Sequence, residues 1–161
     1  MDYLWSPWRY RYVSSASPAD SCLFCRVACE ANDRANYVLR RAAKNLVMLN
    51  AFPYTSGHLM IAPYAHVATL EEADPDALTE MMTLAQFAEA ALRRVYNAHG
   101  FNLGMNVGAS AGAGVAGHIH LHLLPRWSGD VSFITTIAET RVLPEDLETT
   151  YGRLSAAFAG S

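Results

Sequence analysis

"GHIHLHLLPRW", Gly117 to Trp127, sets histidine at positions 118, 120 and 122, with Ile119 and Leu121 between them. A period of two is the period of a β-strand, where successive side chains point to opposite faces. A helix would scatter these rings, because positions two apart do not share a helical face. Ile119, Leu121 and Leu123 should therefore bury one face while His118, His120 and His122 line the other, with Pro125 ending the run. At about 3.3 Å per residue, His118 and His122 are roughly 13 Å apart. Ligands of one zinc sit only about 2 Å from the metal, so three rings on one straight strand do not share one ion. The row divides its labour.

The elements around this strand predict an α+β domain with a mainly antiparallel sheet. "NYVLRR", "NLVMLNAF", "HLMIAPY" and "FNLGMNV" read as strands, and "SFITTIA" as one more. "CLFCRVACEAN" reads as a short helix. "DPDALTEMMTLAQFAEAALRRVYNAHG" is the clearest helix, with Asp74 as N-cap, Pro75 at N1 and Gly100 as its stop. Leu78, Met81, Met82, Ala85, Ala88, Leu92 and Val95 form its expected core stripe. "PEDLETTYGRLSAAF" reads as a terminal helix starting at Pro144. The whole chain, 1–161, reads as one domain with residues 1–20 as an aromatic arm.

Composition narrows the function classes. The chain has 161 residues, is 52% hydrophobic and carries a net charge of −3. That balance gives no broad electrostatic case for a nucleic-acid partner. No stretch approaches the roughly 18 apolar residues of a membrane span, and the start lacks a signal-peptide core. Three cysteines crowd into residues 22–29, which argues against a disulfide framework and for a reducing, cytoplasmic setting.

"GASAGAGVAG" places four glycines in the ten residues before His118. Glycine lets backbone N–H groups converge on an anion without a side chain intervening. A glycine-rich hairpin connection would look the same. Beside a histidine row, the loop becomes a phosphate site next to a nucleophile. A ring with pKa near 6.5 is mostly neutral at pH 7 and can attack phosphorus, forming a phosphoramidate. His120 has a partner on each side, so geometry nominates it as nucleophile.

His118-Ile-His120-Leu-His122-Leu-Leu resembles the signature of the histidine triad (HIT) family. "LNAFPYTSGHLMIAP" resembles that family's first half-site, an Asn eight residues before a Gly-His pair. "LWSPWRYRYV" and "PRWSGDVSFITTIAETRVLPEDL" are similar to the bacterial branch related to diadenosine tetraphosphate phosphorylases. The resemblance implies a HIT-like fold, a five-stranded antiparallel sheet with one long helix and a C-terminal helix, and a homodimer. It implies cleavage of dinucleoside polyphosphates through a nucleotidyl group on His120, with inorganic phosphate or water as acceptor. His122 would contact phosphate and His58 would complete the cluster. Asn50 would hold the ribose, where its structural alternative is a turn residue. Asn106 would orient the phosphate, with Gly112 and Gly114 in the nucleotide loop. Many relatives carry Gln then Ser or Thr four and three residues before the triad. Gly114 and Val115 stand there in this chain, leaving only backbone N–H groups.

Cys22 and Cys25 have the spacing of a zinc knuckle, although a buried pair of reduced thiols has the same spacing. The resemblance completes a set of structural zinc ligands: Cys22, Cys25, His66 and His118. Cys29 should only pack, and His99 should place a favourable charge near the end of the long helix. The competing readings are a nucleoside phosphoramidase or AMP-releasing hydrolase, a nucleotide-binding module without turnover, and a hydrolase with a catalytic metal on His118 and His120.

Overall fold

Alternation builds the sheet. In the computed structural model, residues 22–130 and 143–159 are described. The expected arm at 1–20 and the expected strand "SFITTIA" lie outside them. The strands are β1 (Val38–Arg41), β2 (Asn45–Leu49), β3 (Leu59–Pro63), β4 (Gly100–Gly104) and β5 (Leu121–Arg126). They form one antiparallel sheet in the order β1-β2-β3-β5-β4. The helices are α1 (Leu23–Cys29), α2 (Pro75–Tyr96) and α3 (Leu147–Ala159). No helix among the described residues is long and apolar enough to cross a membrane.

Each strand divides its residues between two layers. Val47, Leu49, Leu59, Ile61, Leu121 and Leu123 bury against α2 and α3. Leu46, Met48, Met60 and Ala62 turn the other way, onto Phe24 and Val27 of α1. Among the described residues α2 and α3 cover one face, whereas the short α1 serves the other, chiefly through Phe24 and Val27. Arg41 compensates by fixing the C-terminal end of α1. Its guanidinium donates to the carbonyls of Val27, Ala28 and Glu30 at 2.9, 3.1 and 2.7 Å, and to Asp33 Oδ1 at 2.9 Å. Four carbonyls at a helix end have no intrahelical partner, and a planar fork reaches several at once.

Several boundaries depart from the sequence expectation. Asp74 caps α2 as expected, accepting from Asp76 N–H at 3.0 Å. The helix stops at Asn97, which adopts the left-handed conformation, and Gly100 opens β4 instead. Asparagine tolerates that conformation because its short amide hydrogen-bonds locally. In α2 the buried stripe is Ala77, Met81, Leu84, Ala85, Ala88, Ala91 and Leu92. Met82 points outward and Leu78 is half-buried, so the stripe is rotated toward the small residues. α3 begins after Asp146, whose carboxylate accepts from Thr149 N–H, rather than at Pro144.

β5 also starts late. Only Leu121–Leu123 find partners on β3, and Ile119 N–H donates instead to Val67 O at 2.9 Å. His118 and His120 thus precede the ladder while keeping the alternation, with Ile119 buried between them. Pro125 does not end the run. It sits inside β5 opposite Phe101, beyond the stretch where β3 is present to ask for its missing N–H.

Candidate active site and metal site

The loop before β3 delivers His58. Gly57 adopts φ +77°, and a Cβ there would lie 3.0 Å from Leu92 Cδ2 and 3.3 Å from both Pro125 Cγ and Tyr96 Cε2. Only glycine fits, which accounts for the Gly-His pair. His58 is then buried, with its ring 5.0 Å from that of His122, and the His122 ring is 4.8 Å from that of His120. The structure brings the three expected catalytic histidines together.

Hydrogen bonds fix which nitrogen of each ring carries the proton. Tyr54 N–H donates to His58 Nδ1 at 3.2 Å, so that nitrogen is an acceptor. Burial, reinforced by the neighbouring His122 and His120 rings, pushes the His58 pKa down to about 3. A neutral His58 therefore carries its hydrogen on Nε2 and donates to His122 Nδ1 at 2.9 Å. His122 is left with its hydrogen on Nε2. His120 Nδ1 lies 2.9 Å from the carbonyl oxygen of His118, which can only accept. Burial pushes the His120 pKa down, so its Nε2 keeps a lone pair. The cluster presents one nucleophilic nitrogen beside one N–H donor.

A cavity of about 600 Å³ opens onto this pair. That volume lies in the range of small-ligand sites. His120, His122, Asn50, Asn106, Gly112 and Gly114 all line it. Phe24 forms part of the wall, its ring 4.8 Å from that of His120. Asn50 is already engaged: its Oδ1 accepts from Phe52 N–H at 2.9 Å, and its Nδ2 is 3.3 Å from His58 Nδ1. That is the geometry of the turn residue, placed at the cavity wall. The glycine loop is partly self-bonded. Gly112 N–H donates to Ala109 O at 2.9 Å, while those of Gly114 and Val115 donate to nothing among the described residues.

The remaining triad histidine belongs to a second cluster. One ligand atom from each of Cys22, Cys25, His66 and His118 falls within 4.8 Å of every other. His118 Nδ1 is 3.3 Å from Cys22 Sγ and 3.7 Å from Cys25 Sγ, and His66 Nδ1 is 3.3 Å from Cys25 Sγ. Bonds of about 2.3 Å to sulfur and 2.0 Å to nitrogen at a tetrahedral zinc set sulfur and nitrogen about 3.5 Å apart. The four residues fit such an ion. His118 Nε2 faces Pro63 O at 2.9 Å, which turns Nδ1 toward the sulfurs. Burial and the adjacent Cys22 thiol push the Cys25 thiol up. His120 is not in this set, so a catalytic metal shared by His118 and His120 does not match the geometry. His99 lies beyond α2 and accepts from Ser128 N–H at 3.0 Å. Cys29 is exposed at the end of α1.

Sequence reasoning did not single out Phe24, Tyr54 or Arg41. Tyr54 stood in a stretch read only as a tight connection, yet its ring lies 4.7 Å from that of His58 and stacks at 6.1 Å on that of His122.

The HIT domain pattern matches residues 33–129. The chain belongs to the HIT family. It is 37% identical over 166 aligned residues to a Mycobacterium tuberculosis protein named AP-4-A phosphorylase, covering 97% of this chain and 84% of that one. A Schizosaccharomyces pombe protein named bis(5'-nucleosyl)-tetraphosphatase [asymmetrical] is 27% identical over 75% of this HIT chain and 63% of its own length. A zinc-bound histidine triad family protein from Mycobacterium smegmatis superposes with TM-score 0.71 at 31% identity. That superposition covers 87% of this chain and 94% of the other.

Proposed function

We propose that this HIT protein splits dinucleoside polyphosphates such as diadenosine tetraphosphate by phosphorolysis. The observation that carries the proposal is the tautomer pair: His120 Nε2 offers a lone pair where His122 Nε2 offers a hydrogen. His120 Nε2 forms a bond to the α-phosphorus as the bond to the bridging oxygen breaks, releasing ATP and holding AMP. An oxygen of inorganic phosphate then displaces the histidine and releases ADP. His122 N–H steadies charge on the phosphoryl oxygens, and the N–H groups of Gly114 and Val115, unpaired among the described residues, supply donors where many relatives carry side chains. Asn106 and Asn50 stand at the cavity wall for the phosphate and the ribose. The name of the Mycobacterium tuberculosis relative supports this substrate class.

Three further features complete the proposal. Zinc held by Cys22, Cys25, His66 and His118 would be structural: it would tie α1 to the start of β5 and leave the chemistry to His120. A reducing cytoplasm would keep the two thiols competent. A homodimer would be joined through the long helix and the sheet edge at β4, the outermost strand among the described residues, where Leu103 is exposed.

The test is incubation with diadenosine tetraphosphate, with and without inorganic phosphate. ATP and ADP appearing only with phosphate is the expected result. AMP with ATP in both conditions would make the protein a hydrolase, and an uncleaved substrate would overturn the reading.

A further inference from the structure

Apolar walls give a cavity little power to choose a base, but beside Phe24 and Val27 this wall carries two polar side chains, Arg26 and Asn36. Asn36 lines the cavity with Phe24, Val27, Met48 and Met60. Its Nδ2 donates twice, to Glu30 Oε2 at 2.6 Å and to Asn32 O at 3.2 Å. A carboxylate and a carbonyl can only accept, so the amide cannot be turned over without facing oxygen to oxygen. Arg26 Nη1 braces the same carboxylate at 3.0 and 3.2 Å. The amide nitrogen is thereby spent. The carbonyl oxygen Oδ1 has no partner among the described residues and is not buried. It is a fixed acceptor on a cavity wall.

The topology sets its distance from the chemistry. Asn36 leads into β1, and His122 lies on β5, three strands away. Three spacings of about 4.8 Å make about 14 Å. That span leaves room for a nucleoside monophosphate with one contact distance at each end.

We infer that Asn36 is a specificity-determining residue: its oriented carbonyl oxygen accepts from an exocyclic amino group, so the cavity prefers 6-aminopurine nucleotides to 6-oxopurine ones. The inference rests on the nucleotide reading above and sharpens it. A 6-oxo group would set one lone pair against another, and a site built around a hydrogen bond rejects an analogue that cannot make it.

The experiment measures dissociation constants of AMP, IMP and purine riboside monophosphate for the wild-type protein and for Asn36→Ala. Purine riboside monophosphate lacks any 6-substituent, so it removes the hydrogen bond without adding repulsion. The wild type should bind AMP about ten-fold more tightly than either analogue, and the variant should bring all three within about three-fold. Equal affinities in the wild type, which needs no folded variant, would overturn the inference while leaving the nucleotide reading intact. Discrimination retained by Asn36→Ala would overturn the assignment to this residue. Failure of the wild type to bind any of the three would overturn the nucleotide reading, and this inference with it.

Discussion

Two imidazole clusters meet at one turn of chain. His58, His120 and His122 form an open cluster whose rings pass a proton orientation from Tyr54 N–H to the cavity. Cys22, Cys25, His66 and His118 form a closed one, with four ligand atoms facing one another. The same chemical group serves both because its surroundings differ. His118 Nε2 is taken by Pro63 O, so its other nitrogen faces sulfur; His120 Nδ1 is taken by His118 O, so its other nitrogen faces the cavity. Which backbone carbonyl each ring meets decides its task. His118 belongs to both clusters, through its ring in one and its carbonyl in the other.

The largest effect should come from removing the proposed nucleophile. His120→Ala should lower turnover of diadenosine tetraphosphate by at least about 10⁴-fold, since a residue acting as part of a catalytic unit cannot be replaced by its neighbours. AMP binding should survive, because the cavity wall remains. Calorimetric titration beside a product assay checks this. Full turnover by the variant would remove the distinction between the two clusters.

A smaller loss should follow from opening the closed cluster. Cys25→Ala should bind less than one equivalent of zinc and lose roughly 3 kcal/mol or more of stability. For a chain of this length that corresponds to a melting temperature lower by about 6–12 °C. Metal analysis and thermal unfolding measure both. Because Phe24 on the same helix packs against His120, nucleotide affinity should fall as well. An unchanged melting temperature with full activity would show that the two clusters are not mechanically joined.

How far these clusters were legible in the sequence depends on how local their signals are. The histidine row, the Gly57-His58 pair and the Cys22–Cys25 spacing are short-range patterns, and each placed its side chains where the structure holds them. The alternation reported facing even for His118 and His120, which lie outside the ladder. Tertiary partners carry no such spacing. Arg41 reaches back 11 to 14 residues to carbonyls, and Phe24 meets a ring almost a hundred residues away. The helix stop at Asn97 was missed because glycine is the stronger signal and Gly100 stood only three residues on. Met82 was misplaced because periodicity over a helix rich in alanine leaves the centre of the stripe loosely defined.

The finest distinction between the clusters is their response to acid. His58 is held neutral by burial down to a pKa of about 3, whereas in the unfolded chain it would titrate near its usual 6.5. Between those values the unfolded state binds the extra proton. Stability from this group is therefore complete above about pH 6.5 and is lost progressively as pH falls toward 3. The slope is at most about 1.4 kcal/mol per pH unit for one proton. His58→Asn removes the titrating group, so the variant, although less stable at pH 7, should lose less on going to pH 4.5 than the wild type does. Denaturant midpoints at pH 7, 5.5 and 4.5 measure the difference in slope. The candidate metal-site residues are the same in both proteins, so their contribution is common and cancels in the comparison. Parallel pH profiles would mean that His58 is charged within the fold. In that case Tyr54 N–H could not be donating to its Nδ1, and the proton order from His58 to His122 would be lost.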